Sequence, residues 1–255
     1  GMSHILTHIE DHVLHIVINR VDKKNALTRS MYQQMADAIF DAKHHPDIRV
    51  ILLKGHGDCF TAGNDIQDFA SKEESEHVAE TAAFMRALMD CEKPVIAQVH
   101  GVAVGIGTTM LLHCDFVYAQ PNTRFVLPFI NLGLVPEYAS SYLLPKIAGR
   151  RKASEWLMLG EPFGTEDAYQ FGLLTDIVPE TSLSDKVMSV CKKLVEKPAF
   201  SLLQTKSLLN NDTDLIRQQM DIELDVFIQA MGMDAAQEAF DAFLNKRPIN
   251  PDKFK

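Results

Sequence analysis

The sequence carries no surplus of positive charge. Lys and Arg total 25 against 34 Asp and Glu in 255 residues, a formal net charge of −9. That balance argues against a nucleic-acid partner, whose binding surface is ordinarily basic. It does not exclude a small anionic ligand, since one local basic patch overrides the global sign. Cysteine is also scarce. Cys59, Cys91, Cys114 and Cys191 form no Cys-x-x-Cys pair and no zinc-type spacing, so four reduced thiols of a cytoplasmic protein are expected. No apolar run reaches the roughly 18 residues that a membrane helix needs. Met2 to Val21 is broken by His4, His8, Glu10, Asp11 and His15, which leaves no signal-type apolar stretch. Asp252-Lys253-Phe254-Lys255 is not a targeting tripeptide, and Gly1 ahead of Met2 reads as a cloning scar. There is no internal repeat and no low-complexity tract. The expectation is a cytoplasmic chain with no membrane and no nucleic-acid partner.

Apolar residues are plentiful at 46%. A chain of this length buries roughly 70–75% of its unfolded surface on folding and needs no covalent staples. Short, continuously apolar runs at residues 13–18, 48–54, 94–100 and 115–119 read as strands of a sheet covered on both faces. Helical periodicity separates them. Met31, Met35, Ala38, Ile39 and Ala42 share one face within 28–42, and Val78, Ala82, Met85 and Met89 share one within 78–89. Alternation of strands and helices predicts an α/β fold. After about residue 139 strand signals nearly vanish, apart from 176–178. Helical segments are predicted at 150–159, 165–171, 183–196, 199–209 and 213–244, punctuated by Pro198 and Asn210-Asn211-Asp212. The expected division is an α/β body over 1–198 and a helical region over 199–255. The apolar face of its last segment (Leu215, Met220, Leu224, Phe227, Ile228, Met231) suits packing on a neighbouring copy.

Three stretches stand out for chemistry. Cys59-Phe-Thr-Ala-Gly-Asn-Asp-Ile66 follows a strand. Its small residues permit close approach of backbone to a ligand, although an ordinary strand-to-helix turn has the same look. Asp65 there suits a helix cap or a loop hydrogen bond. His100-Gly-Val-Ala-Val-Gly-Ile-Gly-Thr-Thr-Met110 is rich in glycine, yet it matches neither phosphate-loop pattern. No Lys follows the glycine, and Met110 stands where G-x-G-x-x-G needs its third glycine. A turn offering free backbone N–H groups at the start of an apolar helix remains, suited to a localised negative charge, as does a pure packing role. The third stretch, Pro128 to Tyr138, holds one carboxylate, Glu137, in an apolar run. It is either a solvated loop residue or a buried group with a raised pKa. No G-x-S-x-G and no H-E-x-x-H occurs, and the ten histidines read as structural.

In their order and spacing these stretches resemble the crotonase (enoyl-CoA hydratase/isomerase) superfamily over nearly the whole chain. The residues that carry the resemblance are Arg20 to Leu27 (R-V-D-K-K-N-A-L), Phe60 to Ile66 (F-T-A-G-N-D-I), Gly101 to Gly107 (G-V-A-V-G-I-G), Cys114-Asp115, Asn131-Leu132-Gly133 and Phe243 to Pro248 (F-L-N-K-R-P). The resemblance implies a spiral of ββα units with a helical C-terminal trimerisation region, assembled as a homotrimer or a dimer of trimers. It implies an acyl-CoA thioester as ligand, with coenzyme A as part of the substrate and no metal or other cofactor. By motif position the backbone amides of Asn64 and Ile106 would hold the thioester oxygen. Lys24, Ala26, Ala62, Asp65 and Ile66 fall on the CoA-binding strip, with the Ala62 carbonyl toward the adenine. Phe227 and Lys246 match positions that reach the CoA of a neighbouring subunit. Phe129, Thr109 and Leu134 fall on the acyl pocket.

The carboxylate pattern narrows the chemistry. A hydratase of this family works with two acids, and those positions fall on Thr109 and Phe129, neither acidic. Glu137 falls where the Δ3,Δ2-enoyl-CoA isomerase branch, the peroxisomal type and its bacterial relatives, places a single glutamate. A 1,3-proton shift needs only one base, and two preorganised N–H donors stabilise the enolate oxygen. The expectation is an isomerase moving a 3-enoyl-CoA double bond to the 2-position, in fatty-acid β-oxidation. The alternatives are hydration, thioester hydrolysis or dehalogenation by another acid, such as Asp68 or Glu73, and a non-catalytic acyl-CoA-binding member. An RNA-binding side role lacks its basic surface.

Overall fold

The computed structural model describes residues 3–70 and 78–255. In chain order the strands and helices are β1 (Ile5–Glu10), β2 (Val13–Ile18), α1 (Arg29–Ala42), β3 (Val50–Gly55), α2 (Ile66–Ala70), α3 (Ala79–Met89), β4 (Val95–Val99), β5 (Val102–Val104) and α4 (Ile106–Thr109). They continue as β6 (Phe116–Ala119), β7 (Arg124–Val126), α5 (Ser140–Ala148), α6 (Arg150–Leu159), α7 (Thr165–Gln170), β8 (Asp176–Ile177), α8 (Glu180–Val195), α9 (Ala199–Leu209), α10 (Thr213–Met231) and α11 (Asp234–Leu244).

The large sheet runs β1-β2-β3-β4-β6-β8. Only the β1–β2 pair is antiparallel, and the remaining ladders are parallel. Parallel neighbours require a crossover, and the helices supply it. One face of the sheet packs under α1 and α3 through Ile16, Ile51, Met35 and Leu88, and the other under α8 through Val13, Leu52, Val187 and Cys191. This is the two-sided cover that the apolar runs predict. Helix α1 starts where Thr28 Oγ1 accepts the Met31 N–H at 3.2 Å, and it buries Met31, Met35 and Ile39.

A second, smaller layer explains how the functional loops meet. β5 pairs with β7, and single bridges extend the layer on both sides: Leu27 to Asn64, Thr61 to Ala103, and Phe125 to Phe163. Each turn of the chain thus leaves one strand in the large sheet and one short extended piece in the second layer, followed by a helix. That is the expected spiral of ββα units.

Three differences from the sequence expectation are informative. β1 is missed because it is an edge strand: of its six residues only Ile5 is buried, so it lacks an apolar signature. β5 and β7 are three residues each, too short for periodicity. The single helix predicted over 213–244 divides at Gly232-Met233 into α10 and α11, which fold back onto the body. Ile216, Met220, Phe227 and Phe240 therefore join the same buried cluster as Phe129 and Leu134. Among the described residues all four cysteines are free thiols, and no helix is long and apolar enough to cross a membrane.

Candidate active site

A cleft of about 940 Å³ opens where the second layer ends. Its walls come from the 20–27 strip, the 62–67 turn, Val104 to Ile106, the 128–134 segment and the α10–α11 pair. The turn at 62–64 approaches the 104 strand closely. Gly63 has φ +86°, and a Cβ there would lie 2.7 Å from the Val104 carbonyl oxygen, so only glycine fits. Thr61 Oγ1 fixes this turn, accepting the Gly63 N–H at 3.1 Å and donating to the Asn25 carbonyl at 2.7 Å.

Asn64 and Ile106 both line the cleft. Among the described residues neither backbone N–H has a hydrogen-bond acceptor, whereas neighbouring amides do: Gly63 on Thr61, Asp65 on the Leu27 carbonyl, Gly105 on the Val126 carbonyl. Two unspent amides converging on one cleft are the elements of an oxyanion site. The helix behind Ile106 is shorter than the sequence suggests. α4 has four residues and passes into a 3-10 turn over Met110–His113, so the local N–H groups matter more than a macrodipole. The side-chain oxygen of Asn64 accepts from the buried Tyr32 hydroxyl, which anchors the 62–64 turn to α1.

The other motif residues assemble as expected, with refinements. Lys24, Ala26, Ala62, Asp65 and Ile66 line one wall, and the Ala62 carbonyl accepts no hydrogen bond among the described residues. The Asp65 carboxylate is already engaged: Oδ1 caps α2 by accepting the Asp68 N–H at 2.9 Å, and Oδ2 pairs with Arg20 at 2.6 Å. Burial opposes its charged form, but the Asp68 amide and the Arg20 guanidinium outweigh burial and hold it below the ordinary carboxylate range. Phe227 and Lys246, expected to serve a neighbouring subunit, line this chain's own cleft because α10 and α11 fold back. Phe227 is buried, edge-on against Phe69 at 6.2 Å. With Arg20, Lys23, Lys24 and Lys246 around it, the cleft carries the local basic patch that the acidic chain needs for an anionic ligand.

Phe129 and Leu134 line the cleft, but Thr109 does not. It is fully buried on α4, one turn beyond Ile106, and donates to Glu137 Oε1 at 2.5 Å. Glu137 is itself only 6% exposed and is not among the residues that line the cleft. Burial raises its pKa to about 8, against the Thr109 hydrogen bond, with Glu223 adding like-charge repulsion. The buried reading of this carboxylate is the correct one.

The turn holding Glu137 is strained. Tyr138 and Ala139 both have positive φ, +58° and +60°. Glu223 on α10, 6% exposed, stabilises it. Its carboxylate accepts the Ala139 N–H at 2.6 Å, the Ser141 N–H at 3.0 Å and the Ser141 hydroxyl at 2.5 Å. His113 contributes from the other side, stacked on Tyr138 at 3.7 Å and bonded to its carbonyl at 2.7 Å, a structural role as expected. Glu223 is absent from the sequence expectation. Its signal was a carboxylate three residues after Met220 and four before Phe227, on the apolar face of a helix. Asn25 is also absent there. Buried at φ +57°, its amide donates to the carbonyls of His56, Cys59 and Phe60 and shapes the 56–60 loop. Of the alternative acids, Asp68 accepts the Arg29 N–H at the start of α1 and does not line the cleft, and Glu73 lies outside the described residues.

Residues 8–253 match the family described as enoyl-CoA hydratase/isomerase. The chain is 31% identical to 1,2-epoxyphenylacetyl-CoA isomerase of Escherichia coli K12, over 96% of this chain and 97% of the relative. It is 35% identical to enoyl-CoA delta isomerase 2 of Rattus norvegicus over 82% of this chain, which spans 54% of that longer protein. The crystal structure of an enoyl-CoA hydratase/isomerase from Pseudoalteromonas atlantica T6c superposes with a TM-score of 0.92 at 34% identity, covering 97% of this chain and 99% of that one. The spiral fold, the two free amides and these likenesses agree: the chain belongs to the enoyl-CoA hydratase/isomerase (crotonase) family.

Proposed function

We propose that the protein is an acyl-CoA isomerase that moves a 3-enoyl double bond to the 2-position, using Glu137 as its single base and acid. The observation that carries the reading is the state of Glu137. It is a buried carboxyl with a pKa near 8, held by Thr109, and the two positions where a hydratase of the family carries its acids are Thr109 and Phe129, neither acidic. The thioester oxygen docks on the Asn64 and Ile106 amides, which acidifies the C2 protons. Glu137 takes a proton from C2, the electron pair spreads over the dienolate to the thioester oxygen, and the protonated carboxyl returns the proton to C4. A pKa close to the working pH suits a group that must both accept and donate. The acyl end has to pass Ile106 and Leu134 to meet it, away from the basic mouth that receives the CoA phosphates. The coenzyme arrives within the substrate, and this route needs no metal or redox group.

A hydratase would need a second carboxylate to activate water, and Phe129 offers none. The test is Glu137→Gln, assayed by formation of the conjugated thioester from a 3-enoyl-CoA. Isomerisation should fall by about 10²-fold or more. If it survives unreduced, the reading is wrong. Turnover of a 2-enoyl-CoA to its hydroxy product by the wild type, with no action on the 3-enoyl isomer, would show a hydratase instead. Tight acyl-CoA binding without any turnover would show a binding protein.

The same reading includes assembly into trimers or dimers of trimers. Helix α9 exposes Phe200 at 77%, Leu208 at 75% and Leu209 at 75%, more apolar surface than one helix leaves to water without cause. Light scattering on the eluting protein measures the assembly directly.

A further inference from the structure

The β1–β2 hairpin lies on the far edge of the large sheet and takes no part in the cleft. His8 and His15 are directly opposite each other in its antiparallel register, and Glu10 follows His8 on the same face of β1. The His8 and His15 rings lie 4.2 Å apart, and His8 Nε2 is 3.8 Å from Glu10 Oε2. One ligand atom from each of the three residues falls within 4.8 Å of the others.

A second observation is independent of that clustering. His15 is 3% exposed, and neither of its ring nitrogens has a hydrogen-bond partner. A buried imidazole with both nitrogens unsatisfied is costly, and such a group calls for a ligand at that point. His8 and Glu10 are exposed, and their side chains make no hydrogen bond among the described residues beyond their mutual contact, so both are free to turn.

From this we propose that His8, Glu10 and His15 form a binding site for a borderline divalent cation, zinc in type. Two ligands two residues apart on one strand and a third across the ladder present three donors to one point above the sheet. Two imidazoles and one carboxylate are donors that zinc accepts in tetrahedral sites, with a fourth position left for water. Zn–N and Zn–O bonds of about 2.0–2.2 Å place two ligand atoms about 3.4 Å apart. The His8–Glu10 contact is already within a few tenths of an ångström of that. The required movement is rotation of the exposed His8 ring out of its stack, which costs no core packing. Lys54 is a cation near His15, and the Glu10 carboxylate offsets it. The bound ion would tie edge strand β1, which buries little of its own, to β2.

The test is calorimetric titration of zinc sulfate into the untagged, chelator-treated protein, with Co²⁺ visible absorption as a second probe. The expected result is one tight equivalent per chain with a tetrahedral Co²⁺ spectrum. His8→Ala and Glu10→Gln, both at the surface and remote from the cleft, should each weaken it at least about tenfold. The readout is independent of acyl-CoA turnover, so it stands or falls apart from the enzymatic reading. Absence of a tight equivalent, or affinity unchanged in both variants, overturns the proposal. In the second case the ion sits elsewhere, for instance on the His44-His45 pair.

Discussion

Thr109 Oγ1 donates a 2.5 Å hydrogen bond to Glu137 Oε1, joining residues 28 positions apart. Thr109 lies on the same short helix as Ile106, whose N–H is one of the two free amides. One four-residue helix therefore carries both a free amide at the cleft and the donor that orients the buried carboxyl. For the proposed reaction, this would build the distance from oxyanion to proton-transfer group into a single element.

That contact predicts the direction of a pH shift. A hydrogen bond donated to a carboxylate favours its charged form. Thr109→Val keeps the volume and removes the donor, so the Glu137 pKa should rise above about 8. In the wild type kcat/KM should climb with pH through about 8, as the free enzyme's base loses its proton. In Thr109→Val the same limb should move to higher pH, measured as the pH profile of kcat/KM.

Glu223 should act in the opposite sense. Its charge raises the Glu137 pKa by repulsion, and its oxygens hold the strained 138–141 turn. Glu223→Gln keeps an acceptor for the turn and removes the charge, so the acidic limb should move to lower pH. Glu223→Ala leaves buried amides without acceptors and should cost about 1–3 kcal/mol of stability per unsatisfied group, read by denaturant unfolding.

Glu137 should cost the fold stability as pH rises. Its folded pKa, about 8, lies above the unfolded value near 4.5. The folded state therefore binds the proton more tightly. The associated stability is fully present below about pH 4.5 and is lost as pH rises through about 8. Glu137→Gln removes that loss. The variant should melt higher than the wild type at pH 9 and close to it at pH 5. Calorimetry at the two pH values checks it.

Gly63→Ala should separate catalysis from binding. The added Cβ meets the Val104 carbonyl and forces a positive-φ residue to carry a side chain. The displaced Asn64 amide then no longer points where the oxyanion forms. Loss of one such donor costs about 10²–10³ in kcat. Affinity for a saturated acyl-CoA, measured by calorimetry, should change far less.

Much of this was legible in the sequence because it resides in local pattern. The apolar strands at 13–18 and 94–100, the 28–42 helix face and the glycine-bearing turns follow from short-range chemistry. Eleven of the thirteen site and pocket residues singled out from motif position line the cleft; Glu137 and Thr109 do not, and Thr109 is Glu137's hydrogen-bond donor rather than acyl wall. The edge strand β1 left no trace because an edge needs no apolar alternation. What sequence alone determined was the alternation of the main strands and helices, the family, and the presence of one carboxylate in an apolar run. Only the tertiary structure decided that this carboxylate is buried and raised toward 8, since its burial, the opposing Thr109 hydrogen bond and the Glu223 repulsion come from segments remote in sequence and brought together by packing. It also decided that Phe227 and Lys246 face this chain's own cleft, because the break at Gly232-Met233 lets α11 turn back, and no local pattern records the direction of a turn.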